Sequence, residues 1–490
     1  MTETAPAFPE VPAFTPPRGA RRPRQAIGLS ALLLFARDIL STFSANAYQR
    51  RLSHWNMLAR DIFVCNAPDL VRDAFVTKHE AFQRKTPQMR TALAPLIGDG
   101  LFVSDNAVWR ERRAAVAPIV HGRRLPAFFP VMVETALEWR EAWRQKARAG
   151  RPVDVLEEMG CLTAEIISRT VFGRRLGRQY TGQIIRGFAR YQRHVDQLAV
   201  AEMLKLPGWV PRWQSPIATA AVRQIHGVID TIIDRHLAGE SDEEPTGADA
   251  DGGGALIARL FAARDAEGRP FDRTAVRNEA IVIFMAGHET TANTLAWAWY
   301  LLSQADWARA RLHEEVDRVL GGRVPTLEDM DRLVYAKAVI EETLRLYPPV
   351  PLLGREAQCP EHLDGKPVTE GSLVVVAPWL LHRNAHLWAR PDDFVPERFL
   401  PGEPRPTKYQ YVPFAIGPRI CPGMQFGLVE ATLCLALLAE AFDPALAPGV
   451  EVKPVCRLTL RPGKRLPMQL RPRAADAAAR KPAAAGAASR

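Results

Sequence analysis

The chain has 490 residues, 47% of them hydrophobic, and a formal net charge of +10. Such a chain buries a large core, and its length alone allows one big domain or three ordinary ones. Five basic residues against one Asp lie in residues 471–490 and four Arg against two Glu in residues 1–25, so most of the excess charge sits in the ends; this argues against nucleic acid as a partner and leaves a modest basic patch for an acidic protein.

Six cysteines (Cys65, Cys161, Cys359, Cys421, Cys434, Cys456) lie far apart with no CxxC pair, a pattern that fits reduced thiols in a cytoplasmic protein rather than a disulfide framework. Residues 1–25, rich in Pro and Arg, read as a flexible leader. The apolar run Ala26–Ala36 is cut by Arg37 and Asp38 and is too short to span a bilayer. An Ala-x-Ala at Ala45 and Ala47 imitates a secretory signal, but Leu29, Leu32, Leu33, Ala36 and Leu40 recur at helical spacing and predict an amphipathic first helix. Helical periodicities fill residues 26–235, interrupted by a short β pattern at "DIFVCNAP". The acidic, Gly-rich stretch 239–254 reads as a loop. A long helix is expected from Asp272 to Gln304, about 45 Å at 1.5 Å per residue. A shorter helix ending at "LYPPVP", β-like segments such as "SLVVVAPWLL", a Gly/Pro/Arg loop around Cys421 and a last helix follow. The Ala-rich tail 471–490 reads as disordered, and no linker divides residues 26–470, which therefore form one domain.

The long helix is apolar on every side at "AIVIFMA" and should cross the middle of the protein, yet it breaks into "AGHETT", Ala286–Thr291. Two readings are open: a satisfied buried polar cluster or kink, or a groove in which Gly287 admits close approach while Glu289 and Thr290 hold water and pass protons. Taken with the lone thiol of the basic Gly-rich loop, whose Gly417 and Gly423 would let backbone pass close to a flat macrocycle, the break suggests a soft-ligand metal site facing a proton-delivery site.

These residues resemble the cytochrome P450 family. Phe414, Gly417, Arg419, Cys421 and Gly423 match its haem-ligand signature Phe-x-x-Gly-x-Arg-x-Cys-x-Gly, and "AGHETT" is similar to its oxygen-activating helix. "EETLR" and "FVPERF" match its structural triad at Glu342, Arg345 and Arg398. The resemblance implies a soluble bacterial-type protein, mainly α with a small β portion, folded as a single large domain around a buried haem b. It makes Cys421 the iron ligand, Glu289 and Thr290 the acid and alcohol of proton delivery, and Trp109, Arg113, Arg355 and Arg419 the residues that hold the haem propionates, with Phe414 and Gly287 also at the haem. It further implies a monooxygenase that hydroxylates or epoxidises a lipophilic substrate with O2, with the regions 86–101 and 197–210, Phe284, Ala286 and residues 350–353 lining the cavity and residues 204–211 forming a mobile lip or weak membrane contact. Electrons would come from a ferredoxin or flavodoxin and its NAD(P)H reductase, without a transmembrane segment. Peroxide-driven oxygenation, isomerisation and haem-based sensing are the alternatives within the resemblance. Two departures stand out: Ala415 where the family usually has Gly, and Pro422, which has no N–H to offer the sulfur.

Overall fold

The structure, a computed structural model, describes residues 8, 10–19, 21–23, 34, 38–196, 199–207, 209–210, 214–239, 256–265, 267–456 and 458–473. The elements that build the site are, in chain order, β1 (Leu52–Met57), β2 (Arg60–Cys65), β3 (Arg84–Lys85), α1 (Pro87–Ile97), α2 (Asn106–Val116), α3 (Val155–Phe172), α4 (Arg273–Gln304), α5 (Val334–Leu346), β4 (Leu353–Glu356), β5 (Leu373–Val376), α6 (Met424–Ala441), β6 (Leu460–Arg461) and β7 (Pro467–Pro472). Further helices, Leu125–Arg148, Arg174–His194 and Pro216–Leu237, flank them. The expected class, mainly helical with a small β portion, is what is observed.

Helix α4 runs 32 residues, begins at an Asp272 side chain that accepts the Ala275 N–H at 2.7 Å, and buries residues on all faces, including Val282, Phe284, Leu295, Trp297 and Trp299. It forms the axis of the core against α3, α5 and α6. Among the described residues α6 is the one helix long and apolar enough to cross a membrane, and it is mostly buried within the protein.

The larger sheet has the order β1-β2-β5-β4-β3, with β2 and β5 parallel and the other pairs antiparallel. Of the stretch "SLVVVAPWLL", only Leu373–Val376 is strand; Pro378 starts a helical turn, Pro378–Leu381. The β4–β3 edge carries Arg355 and Lys85 to the site.

The leader is not loose over its described residues. The Phe394 N–H donates to the Phe14 carbonyl at 2.9 Å, Arg390 donates to the carbonyls of Phe8, Val11 and Pro12 at 3.0, 2.8 and 2.9 Å, and Arg21 pairs with Asp392 at 2.7 Å. A Pro-rich strand keeps its carbonyls free of internal partners, so guanidinium forks capture them, and the ordered part of the fold starts before residue 26. The tail boundary shifts likewise: β7 runs to Pro472, and Arg473 pairs with Asp317 at 2.7 Å. Leu40 is buried in a short helical turn, Ile39–Thr42, whereas Leu29, Leu32, Leu33 and Ala36 lie outside the described residues, as do 240–254, Gln197, Gly208, Pro211 and 474–490.

Candidate functional site

The cysteine loop folds back on itself. The Cys421 N–H donates to Phe414 O at 2.9 Å and the Ile420 N–H to Gly417 O at 3.0 Å. Two residues take left-handed backbone, Ala415 (φ 61°) and Gly417 (φ 73°). At Gly417 a Cβ would lie 2.1 Å from the Phe75 carbonyl oxygen, so glycine is demanded there by the protein's own backbone rather than by a ligand. Alanine at 415 holds the same geometry against a steric cost of about 1–2 kcal/mol. The Cys421 thiol lies deep in the fold, and the surface it exposes is cavity wall. Burial pushes its pKa up, opposed by the Gly423 N–H, which donates to the sulfur, and by the Arg113 guanidinium.

The cavity, about 260 Å³, lies between α4 and the cysteine loop. Trp109, Arg113, Arg355, Phe414, Arg419, Cys421, Gly287 and Thr290 all line it, so the residues named from sequence for the haem converge on one space. Trp109 and Arg113 share a face of α2, one turn apart. Arg419 stacks over the Trp109 ring at 4.7 Å, donates to Ser104 O at 2.6 Å and pairs with Asp105 at 3.2 Å, while its buried Nε has no partner among the described residues. Arg355 sits over Phe75 at 4.8 Å; burial first, then the neighbouring Arg419, lowers it to about 9. Apolar walls come from Val282, Leu344 and Phe426. Several guanidinium groups sharing a single carboxylate, Asp105 on Arg419, together with a thiol and apolar walls, suit a flat apolar ring that bears carboxylates and a metal, which is what haem is.

Across the cavity, the polar break of α4 divides its work. Gly287 lines the cavity, yet the Cβ it lacks would sit 2.9 Å from Ile167 Cδ1, so its smallness seats α3 against α4. The His288 carbonyl accepts the Thr163 hydroxyl at 2.8 Å, and its ring stacks on Phe284 at 5.3 Å; burial lowers it to about 4, leaving a neutral imidazole at physiological pH. These two residues match the reading of a buried packing cluster, but not a fully satisfied one, since the buried His288 Nδ1 has no hydrogen-bond partner among the described residues. Ala286 and Thr290 face the cavity, and the Thr290 hydroxyl donates to Ala286 O at 2.8 Å. Ala286 and Thr290 also line a second cavity of about 260 Å³ adjoining the first, whose other walls include Trp55, Met57, Phe102, Phe188 and Leu458.

Glu289 lines this second cavity and is 5% exposed. It accepts hydrogen bonds from Gln192, Thr459 and Arg461, and Arg461 also donates to Gln192. Those partners are far away in sequence, on the helix Arg174–His194 and at β6, and no spacing pattern announces them. Lys85 and Asp105, which join the cation cluster, also went unread for lack of a motif.

The triad lies apart from both cavities. Arg345 binds Glu342 through paired 2.7 Å bonds and donates to the carbonyls of His382, Pro391 and Asp393; Arg398 reaches Glu342 at 3.1 Å, and the Val395 N–H caps the same carboxylate at 2.8 Å. This is a fully buried, fully bonded network, which fixes the segment leading to the cysteine loop.

The comparisons with known proteins agree with this geometry. The family model described as Cytochrome P450 matches residues 32–467. Cyclooctatin synthase of Streptomyces melanosporofaciens is 33% identical over 438 residues, covering 88% of this chain and 91% of that protein. The chloroplastic carotene epsilon-monooxygenase of Arabidopsis thaliana is 30% identical over 406 residues, 77% and 73% of the two chains. Among solved structures, the cytochrome P450DA heme domain superposes with a TM-score of 0.77 at 25% identity, over 93% of this chain and 98% of the other. Match, fold and site together place the chain in the cytochrome P450 family, as a haem b monooxygenase.

Proposed function

We propose that Cys421 ligates the haem iron, that Trp109, Arg113, Arg355 and Arg419 hold the propionates, and that Thr290 with Glu289 manages protons during hydroxylation or epoxidation of a neutral, lipophilic substrate. The observation that carries this is the placement of the Cys421 thiol and the Thr290 hydroxyl on walls of one cavity. Bound haem supplies the activation of dioxygen and the transfer of one oxygen atom to the substrate. The chain supplies the rest. Thr290, whose hydroxyl already uses its proton on Ala286 O, would accept a hydrogen bond from a water through its lone pairs and pass a proton into the cavity by rotating. Glu289 connects that hydroxyl towards solvent, because its partner Arg461 is 38% exposed.

The second cavity draws its walls mostly from aromatic, Met and aliphatic side chains with a few uncharged polar ones such as Gln88 and Thr86, and among the described residues Glu289 is the one charged group lining it, already paired with Arg461. This favours an uncharged substrate with a long apolar body. The name of one relative, a carotene epsilon-monooxygenase, points to an isoprenoid. Electrons reach the haem from a separate ferredoxin or flavodoxin with its reductase, and the protein works in the cytoplasm. Residues 26–470 carry the haem domain, with leader residues such as Phe14 and Arg21 and the tail residue Arg473 packed onto it. The test is Thr290→Ala: haem and substrate binding persist while reducing equivalents divert to hydrogen peroxide, and unchanged coupling of NADH to product would contradict the role given to Thr290.

A further inference from the structure

Lys85 belongs to none of the motifs that mark the site. It ends β3, directly opposite Arg355 in the antiparallel pair with β4, and both side chains line the cavity shared by Cys421, Trp109, Arg113 and Arg419. Like charges facing each other across a strand pair repel, and burial strengthens the repulsion. No ion pair engages Lys85 or Arg355 among the described residues. Asp105, the acid beside both, is bound by Arg90 at 3.0 Å and Arg419 at 3.2 Å, and it accepts only the backbone N–H of Lys85, at 2.9 Å. The polar partner of the Arg355 guanidinium is the adjacent Gly354 carbonyl, at 2.9 Å, and the Lys85 ammonium lies 4.7 Å from the centre of the Phe102 ring. Burial drives Lys85 well below the usual lysine range, with Arg355 and then Arg419 adding to the effect.

Two buried cations held face to face, with the local carboxylate committed elsewhere, form an anion site. We infer that Lys85 closes with Arg355 as a clamp on a haem propionate. This rests on the assignment of the cavity to haem and adds a holding residue to it. A substrate anion is the other source of negative charge, but Lys85 lines the cavity of the thiol and is absent from the walls of the second cavity, where the substrate is placed. The cations of the cluster, Lys85, Arg113, Arg355 and Arg419, exceed what Asp105 neutralises, and two propionates supply most of the missing charge.

The test is the rate at which the ferric holoprotein gives up haem to excess apomyoglobin, which needs neither turnover nor a redox partner. A hydrogen bond to a charged group contributes roughly 1.5–3 kcal/mol, so Lys85→Met should release haem about tenfold faster or more, and Lys85→Arg should stay within about threefold of the unaltered protein. Reconstitution with haem dimethyl ester, whose propionates carry no charge, should erase the difference between Lys85→Met and the unaltered protein. If Lys85→Met yields no holoprotein, Lys85→Gln takes its place in the same comparison. Equal release rates with ordinary haem would overturn the clamp, and so would a difference that survives undiminished with the ester, since that marks a packing role. Failure of the unaltered protein to bind haem at all would overturn the cofactor assignment itself.

Discussion

Glu279, on α4 near the loop that enters α2, offers a quantitative test of the electrostatics around the site. Its side chain is fully buried and accepts the Leu101 N–H at 2.9 Å, which ties the cavity-lining loop to the central helix. Arg112 stands 3.6 Å away, close enough to argue for an ion pair, yet burial raises Glu279 from 4.5 to about 8. Burial prevails because Arg112 is already engaged by Asp99 at 3.1 Å and stacked on Phe271 at 4.5 Å. Between pH 4.5 and about 8 the folded chain keeps a proton that the unfolded chain has released, so this group's contribution to stability falls as pH rises through that window and levels off above it. At pH 7 the loss relative to acid conditions is about 3 kcal/mol, taking about 1.4 kcal/mol per pH unit from 4.5 upward. Glu279→Gln keeps an acceptor for Leu101 and removes the ionisation. For a chain of this size 1 kcal/mol corresponds to about 1 °C in Tm, so the variant should gain about 3 °C on the unaltered holoprotein between pH 5 and 7.5. Differential scanning calorimetry at half-unit intervals reads the difference. A variant whose melting temperature runs parallel to that of the unaltered protein over this window would refute the reasoning and make Glu279 an ionised partner of Arg112.

Three further outcomes are expected. Cys421→His should abolish the red-shifted absorption of the reduced carbon monoxide complex that marks thiolate ligation, while Cys434→Ala, in the buried interior of α6, should keep it. Pro422→Leu restores an N–H beside a sulfur that already accepts from Gly423, and redox titration should show a more positive ferric/ferrous potential; an unmoved or more negative potential in a well-folded variant would count against an electronic role for Pro422. Reduction by an acidic ferredoxin or flavodoxin should slow as salt rises, since screening acts over about 8 Å at physiological ionic strength, and a stopped-flow rate indifferent to salt would contradict electrostatic docking.

Why some of the site was legible and some was not follows from the range over which its interactions act. The axis of the fold could be read because α4 is long, capped by Asp272 and apolar on all sides, all local properties. Cys421, Phe414, Gly417 and Arg419 could be read because one tight loop presents them at fixed spacing, and Gly417 is fixed by a contact at Phe75 that admits no other residue. Trp109 and Arg113 share a helical turn, and Arg345 holds Glu342 from three residues away. What escaped was tertiary. The partners of Glu289 come from Gln192, Thr459 and Arg461, on parts of the chain that meet it only in the folded state. Lys85 looks like any strand-end lysine until β3 pairs with β4 and sets it against Arg355. The leader misled for the opposite reason. Its Pro content removes internal hydrogen bonds, which in isolation means a free chain, but here Arg390, Arg21 and the Phe394 N–H supply the missing partners. The sequence of AGHETT also held two answers at once, because a helix shows different faces to different neighbours: His288 serves the contact with α3, Ala286 and Thr290 serve the cavity, and Gly287 borders both. A linear motif cannot separate those duties, since the assignment depends on which neighbour each residue's 100° step turns it towards.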